Sequence, residues 1–97
     1  LGGIVVRIDE IYEFIKYEIN EARDLPVVIN LSDSLLGEGG LLDSMGLVQL
    51  CIALEDKAED LGKEFDWASE KAMSKSQGMF RSVESLALEF LNQIGQR

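Results

Sequence analysis

The chain has no histidine, one cysteine and one proline among its 97 residues. Each shortage removes a class of chemistry. Without histidine, the Ser-His and Cys-His pairs of nucleophilic catalysis are unavailable, and zinc sites built on Cys and His are excluded. A single cysteine forbids an internal disulfide and fits a reducing compartment. Cations are scarce as well: 9 Lys and Arg stand against 18 Asp and Glu, for a formal charge of −9. Binding a phosphate backbone requires clustered cations, so neither nucleic acid nor an anionic membrane surface is an expected partner. The balance favours basic protein partners met by electrostatic steering. No apolar run approaches the ~20 residues that span a bilayer, so no membrane insertion is expected. Ile4-Val5-Val6 is too short for the apolar part of a signal peptide, and Asp9, Glu10 and Glu13 follow closely. A cytoplasmic location is the expectation. The GxxxxGK[ST] and GxGxxG patterns that cradle nucleotide phosphates are absent too.

What the chain does have is helical periodicity in a sequence that is 46% hydrophobic. One domain over residues 1–97 is expected, with Leu1-Gly2-Gly3, which lack a starting methionine, disordered or non-native. Ile4, Ile8, Ile11, Tyr12, Ile15 and Ile19 recur at three- and four-residue steps and predict a first amphipathic helix over 4–23, stopped by Pro26. Residues 24–43 form a long connection whose Val27, Val28, Ile29, Leu31, Leu35 and Leu36 suit a loop lying on the core, with one short turn at Leu35-Leu36 capped by Ser32 or Asp33. Asp43 is placed to cap a second helix over 44–61, which Gly62 ends. Its apolar side is Val48, Cys51, Leu54, Ala58 and Leu61, widened by Leu47 and Leu50. Asp66 is expected to cap a short third helix from Trp67 to Lys75, with a loop over 74–78. Ser82 is expected to cap a last helix from Val83 to Ile94. No segment alternates with period two, so the expected fold class is all-α: three main helices, one short third helix and a long first loop.

Few residues are left to carry chemistry. An EF-hand loop counted from Asp33 fails, because Leu35, Gly37, Glu38 and Ser44 occupy the positions that need two oxygen ligands, a glycine and a glutamate. No metal site is expected. Cys51 lies on the apolar arc among acids and reads as packing rather than as a reactive thiolate. Phe65, Trp67 and Phe80 read as core, with a partner-contact role open for Trp67. Ser44 stands apart. It could be a second capping residue, but Asp43 already fills that role. That leaves an exposed hydroxyl at a helix N-terminus, where free N–H groups and the helix dipole favour a phosphate ester. With no histidine to activate it, the serine suits an acceptor better than a nucleophile.

"GLLDSMGLVQLCIALEDKAED", residues 40–60, resembles the core of acyl carrier proteins, and the Gly-Leu-Leu-Asp-Ser-Met-Gly form is similar to the D-alanyl carrier proteins. "FRSVESLALEFL", residues 80–91, is similar to that family's last helix. The resemblance implies a four-helix carrier-protein bundle that is not an enzyme. It implies that Ser44, flanked by Asp43, carries 4′-phosphopantetheine derived from coenzyme A, and that the arm's thiol holds acyl groups as thioesters. The partners it implies are a phosphopantetheinyl transferase, an acyl-loading ligase or synthase, and acyltransferases or other pathway enzymes with basic docking surfaces. Met45, Val48, Glu55, Asp56, Glu59 and Asp60 are the expected partner face. The chain departs from the common fatty-acid pattern at Gly46 and Gln49, which are neutral, and in a longer stretch from Lys63 to Gly78. Both departures point to a specialised lipid or secondary-metabolite pathway. The alternatives are an aminoacyl carrier of the D-alanyl type and an unmodified acidic helical adaptor. Residues 63–79 are expected to act as a flap over the gap between the second and last helices, adding little to fold stability, with Trp67 partly buried.

Overall fold

A computed structural model describes residues 7–23, 27–36, 39–74 and 76–95. The expectations for residues 1–3, Ile4 and Pro26 lie outside them. Among the described residues there is helix and no strand: α1 (Ile8–Ala22), α2 (Ser44–Asp60), α3 (Glu70–Ser74), α4 (Ser76–Met79) and α5 (Val83–Gln93).

The three long helices form where the three-four spacing of apolar residues gives each a continuous stripe. Ile11, Ile15 and Ile19 of α1 are completely buried, with Ile8 and Tyr12 half-buried beside them. They meet Leu50, Leu54 and Ala58 of α2 and Val83, Leu86, Ala87 and Phe90 of α5 in one cluster. Helix α1 packs on both α2 and α5. Each large aliphatic or aromatic side chain buried here contributes about 1.5–3 kcal/mol. Among the described residues no polar or charged residue is buried in this core.

The first loop lies on the core only in part. Ile29, Leu35 and Leu42 are buried, whereas Val28 is 87% exposed and Leu36 40%. Val27, Leu31 and Leu41 are partly buried against the core, and hydrogen bonds add to these contacts. Asn20 Oδ1 accepts from Val27 N at 2.9 Å, and Arg23 donates to the Leu41 carbonyl at 2.6 Å. Asp33 does not cap forward onto Leu35-Leu36 as expected. Its carboxylate reaches back to Asn30 N at 2.9 Å and closes a turn over 30–33. The same loop then serves α5: the Asp33 and Leu31 carbonyls accept from Val83 N at 3.2 Å and Glu84 N at 2.9 Å. Those are two of the N–H groups a helix start leaves without an internal partner. Ser82 supplies a further acceptor, its hydroxyl taking Ser85 N at 3.1 Å, as the sequence predicts.

The region after α2 departs most from expectation. The short helix begins at Glu70, not Trp67. The Asp66 carboxylate accepts from Ser69 N at 3.0 Å and from the Ser69 hydroxyl, which commits residues 66–69 to a turn. These bonds also hold the Asp66 carboxyl below its ordinary range. Ser69 becomes the cap instead, its hydroxyl accepting from Ala72 N at 3.2 Å. The expected loop at 74–78 is partly helical, since α4 begins at Ser76 and delivers Met79 to the core at 4% exposure. A polar, glycine-bearing stretch gives little local signal for helix, and the burial of Met79 outweighs that weak propensity.

This segment is therefore part of the fold, against the expectation that it adds little stability. Phe65 is buried, and its ring lies 5.2 Å from that of Phe90. Phe65→Ala should destabilise the chain by about 3–4 kcal/mol, as large-to-small changes at buried aromatics do. Met73→Ala, at an exposed side chain, should stay within about 0.5 kcal/mol. Urea unfolding of both variants checks the contrast.

Candidate functional site

The Asp43-Ser44-Met45 junction is built as a helix start. Asp43 has an extended backbone, and its carboxylate accepts from Gly46 N at 2.7 Å. Its carbonyl accepts from Leu47 N at 3.0 Å. Asp43 is thus the N-cap and Ser44 the first helical residue. Leu42 before the cap and Leu47 in the first turn are both buried in the core cluster, the staple that fixes how a chain enters a helix. With its neighbours so anchored, Ser44 is exposed, as is Met45 at 68%.

Two glycines of this stretch have steric reasons. A Cβ on Gly40 would lie 2.8–3.0 Å from the backbone of Leu36, where the two arms of the loop close through Leu41 N to Ser34 O and Leu42 N to Leu35 O. A Cβ on Gly46 would lie 3.0 Å from Leu42 Cδ2 and 3.2 Å from the capping oxygen of Asp43. A larger residue at Gly46 would therefore require the Leu42 side chain or the cap to give by a few tenths of an ångström.

Glu55, Asp56, Glu59 and Asp60 are all exposed along the second half of α2. Met45 and Val48 are exposed nearer Ser44, Val48 at 39%, although the spacing also places Val48 on the apolar side. The sequence reading missed Ile52, which is 44% exposed. Met45, Val48 and Ile52 follow one another at three and four residues and so form one ridge beside the acids. The same three-four count that finds a buried stripe would have found this one.

An apolar cleft of about 260 Å³ opens between α2 and the segment that follows it. Leu47, Val48 and Cys51 line it from α2, Leu36 from the first loop, and Trp67, Met73 and Phe80 from the far side. Cys51 is fully buried at the floor of the cleft, Leu47 is buried, Trp67 and Phe80 are half-buried, and Leu36, Val48 and Met73 are exposed at its edges. Val48 follows Ser44 by four residues, so the serine stands about one turn, roughly 6 Å along the axis, from the cleft's wall. The Trp67 indole N–H donates to Glu55 Oε2 at 3.2 Å. A larger opening of about 630 Å³, between Ser74, Gly78 and Met79 on one side and Ser85, Leu88, Glu89 and Asn92 on the other, includes no residue of α2.

Cys51 is no nucleophile at neutral pH. Burial, and then the Glu55 carboxylate, push its thiol up to about 12. Among the described residues no group of three or more Cys, Asp and Glu could hold a metal ion. Nor is any described helix long and apolar enough to cross a membrane.

The cap and the serine should separate cleanly in stability. Asp43→Ala loses the carboxylate acceptor and should cost about 1 kcal/mol, lowering Tm by about 4–8 °C. Ser44→Ala, at an exposed first-turn position, should stay within about 0.5 kcal/mol. Thermal unfolding followed by circular dichroism reads both.

Set against models of known protein families, curated proteins and solved structures, the chain matches none.

Proposed function

We propose that this chain is an acyl carrier protein: a helical domain that holds acyl groups as thioesters on a 4′-phosphopantetheine arm attached to Ser44, and itself catalyses nothing. The observation that carries the reading is a conjunction on one helix. An exposed serine stands at the first position of α2, held there by the Asp43 cap and the buried Leu42 and Leu47. One turn further on, the same helix forms the wall of an apolar cleft. The resemblance of residues 40–60 and 80–91 to carrier proteins supports the same assignment.

Attachment requires that Ser44 Oγ form a phosphodiester with the pantetheine phosphate of coenzyme A while adenosine 3′,5′-bisphosphate leaves. The chain has no histidine, so the hydroxyl proton passes to a base on the phosphopantetheinyl transferase. The dipole at the start of α2 favours the negative charge that the new ester leaves beside it. The arm supplies a terminal thiol for the thioester, and this chain's residues position and shelter what is attached. The cleft walls are aliphatic, aromatic and sulfur-bearing, which suits an acyl chain better than the small charged cargo of a D-alanyl carrier. The acids of α2, with the ridge of Met45, Val48 and Ile52, offer partner enzymes a charged rim beside an apolar contact. A specialised lipid or secondary-metabolite pathway, acting in the cytoplasm, is the setting this reading assigns.

Incubation with coenzyme A and a broad-specificity transferase should add the mass of one phosphopantetheine to the intact protein and none to Ser44→Ala. An unmodified adaptor predicts no change in either. Aminoacyl and acyl carriers then differ in which ligase loads the arm.

Partner reading of the acidic face is tested separately. Reversing Asp56 and Glu59 to lysine should slow transferase loading about tenfold at low salt and flatten its dependence on ionic strength, because rim charges act chiefly on association rate. Equal loading rates at low salt would remove this face from the interface.

A further inference from the structure

The C-terminal end of α1 holds both ends of the first loop, and it does so with two side chains. Asn20 Oδ1 accepts from Val27 N at 2.9 Å where the loop departs. Arg23, the residue at which α1 stops, donates from Nη1 to the Leu41 carbonyl at 2.6 Å where the loop returns. Leu41 N is itself bonded to Ser34 O at 2.9 Å, so Arg23 fixes the second main-chain polar group of the same residue. Leu42 N bonds Leu35 O at 2.9 Å, and the Leu42 side chain is buried. Asp43 follows as the cap and Ser44 as the first helical residue. Each residue from Leu41 to Asp43 is thus committed. Arg23 is half-buried. A guanidinium bonded to a carbonyl is charge-assisted and stronger than the neutral bonds around it. Three residues take the chain from Leu41 to Ser44, at most about 11 Å, so a shift at Leu41 carries to the serine.

We propose that Arg23 is a positioning residue for the modification of Ser44: by holding the Leu41 carbonyl it keeps the entrance of α2 in the geometry that a phosphopantetheinyl transferase accepts. The inference rests on the carrier reading for the reaction it serves. Arg23 acts through Leu41, Leu42 and Asp43 and needs no contact with the reacting phosphate. Transfer requires that Ser44 Oγ be presented to the phosphorus in one orientation. Without the Arg23 bond the returning arm of the loop keeps its bonds to Ser34 and Leu35 but loses this tie to α1. The serine then samples several positions, of which only a fraction are competent. A transferase that binds the competent form holds it there once docked. The loss therefore appears in binding, in proportion to that fraction, rather than in the chemical step.

Three variants of the full chain test this. Arg23→Met keeps the apolar stem and removes every donor. Arg23→Lys restores a charged donor. Asn20→Ala frees Val27 N at the other end of the loop and leaves the bond to Leu41 alone. Transferase loading from coenzyme A is measured well below each variant's Tm, where circular dichroism shows the chain fully folded. Arg23→Met should raise KM about three- to tenfold with kcat near native, the scale on which one such bond acts. The ratio should persist at high salt, which screens any direct attraction of Arg23 for coenzyme A or the transferase. Arg23→Lys should recover part of the loss. Asn20→Ala should load as the native chain does, whatever its Tm. Backbone order parameters give a readout that needs no transferase. In Arg23→Met those of Leu41, Leu42 and Ser44 should fall below the rigid value of about 0.85, with those of Ile15, Leu54 and Phe90 unchanged. A native KM in Arg23→Met, or an equal loss in Asn20→Ala, would overturn the positioning role. Weakened loading with unchanged order parameters would overturn it too, and would make Arg23 a direct contact of the transferase. A native chain that takes no arm would sink the carrier reading and this proposal together, whereas a native chain that loads alongside either adverse result sinks the proposal alone.

Discussion

The start of a helix leaves backbone N–H groups without partners, and near a core those groups must be satisfied. In this protein one short piece of the first loop meets that constraint for α5 and also fixes the chain that leads into α2. The Leu31 and Asp33 carbonyls close the start of α5, and the Ser34 and Leu35 carbonyls hold Leu41 and Leu42 just ahead of α2. The loop is thus a shared base on which two helix N-termini are set. The position of Ser44 follows from it. Leu42 is bonded to Leu35 and buried, Asp43 turns to cap, and Ser44 follows it exposed to solvent. The close approach of Gly40 to Leu36 belongs to the same arrangement, since any larger residue would drive the two arms of the loop apart.

Helix α2 then carries three different surfaces. Its buried side, from Leu47 through Leu50, Leu54 and Ala58, joins the core. Its acidic side faces water. Between them run the fully buried Cys51 and the partly exposed Val48, which line the cleft with the post-α2 segment. Cys51 lines a cavity, yet its burial and then the nearby Glu55 carboxylate both raise the cost of a thiolate there. Trp67 sits across the same division of α2, its ring lining an apolar wall while its N–H reaches a charged rim.

The segment from Lys63 to Phe80 has a double character. Phe65 and Met79 are anchors in the core, one against Phe90 and the other delivered by α4. Between them Trp67 and Met73 line the cleft, and the Trp67 indole N–H donates to Glu55 Oε2. Between these anchors Ala72 is buried and Trp67 is packed against the core, so the segment is tied to the fold along its length.

Much of this was legible from the sequence. The stripes of Ile11, Ile15 and Ile19 and of Val83, Leu86, Ala87 and Phe90, the caps at Asp43 and Ser82, and the exposed acids of α2 all follow from local periodicity and capping chemistry, which act within a few residues. Tertiary structure alone decided the rest. Asp66, its main chain tied to the Gln93 side chain of α5, turned toward Ser69 instead of starting a helix at Trp67. Residues 76–79 became helical where Met79 could enter the core. Val48 and Ile52 carry the apolar character of a core stripe yet remain exposed, since among the described residues no element covers that side of α2 fully. The sequence determined where the serine stands along the chain and what caps the helix it opens. Only the fold could set an apolar cleft one turn away and join it to the acidic face through Trp67 and Glu55. Contacts between residues 12 apart in sequence and on different elements depend on how those elements pack, and no local pattern encodes that packing.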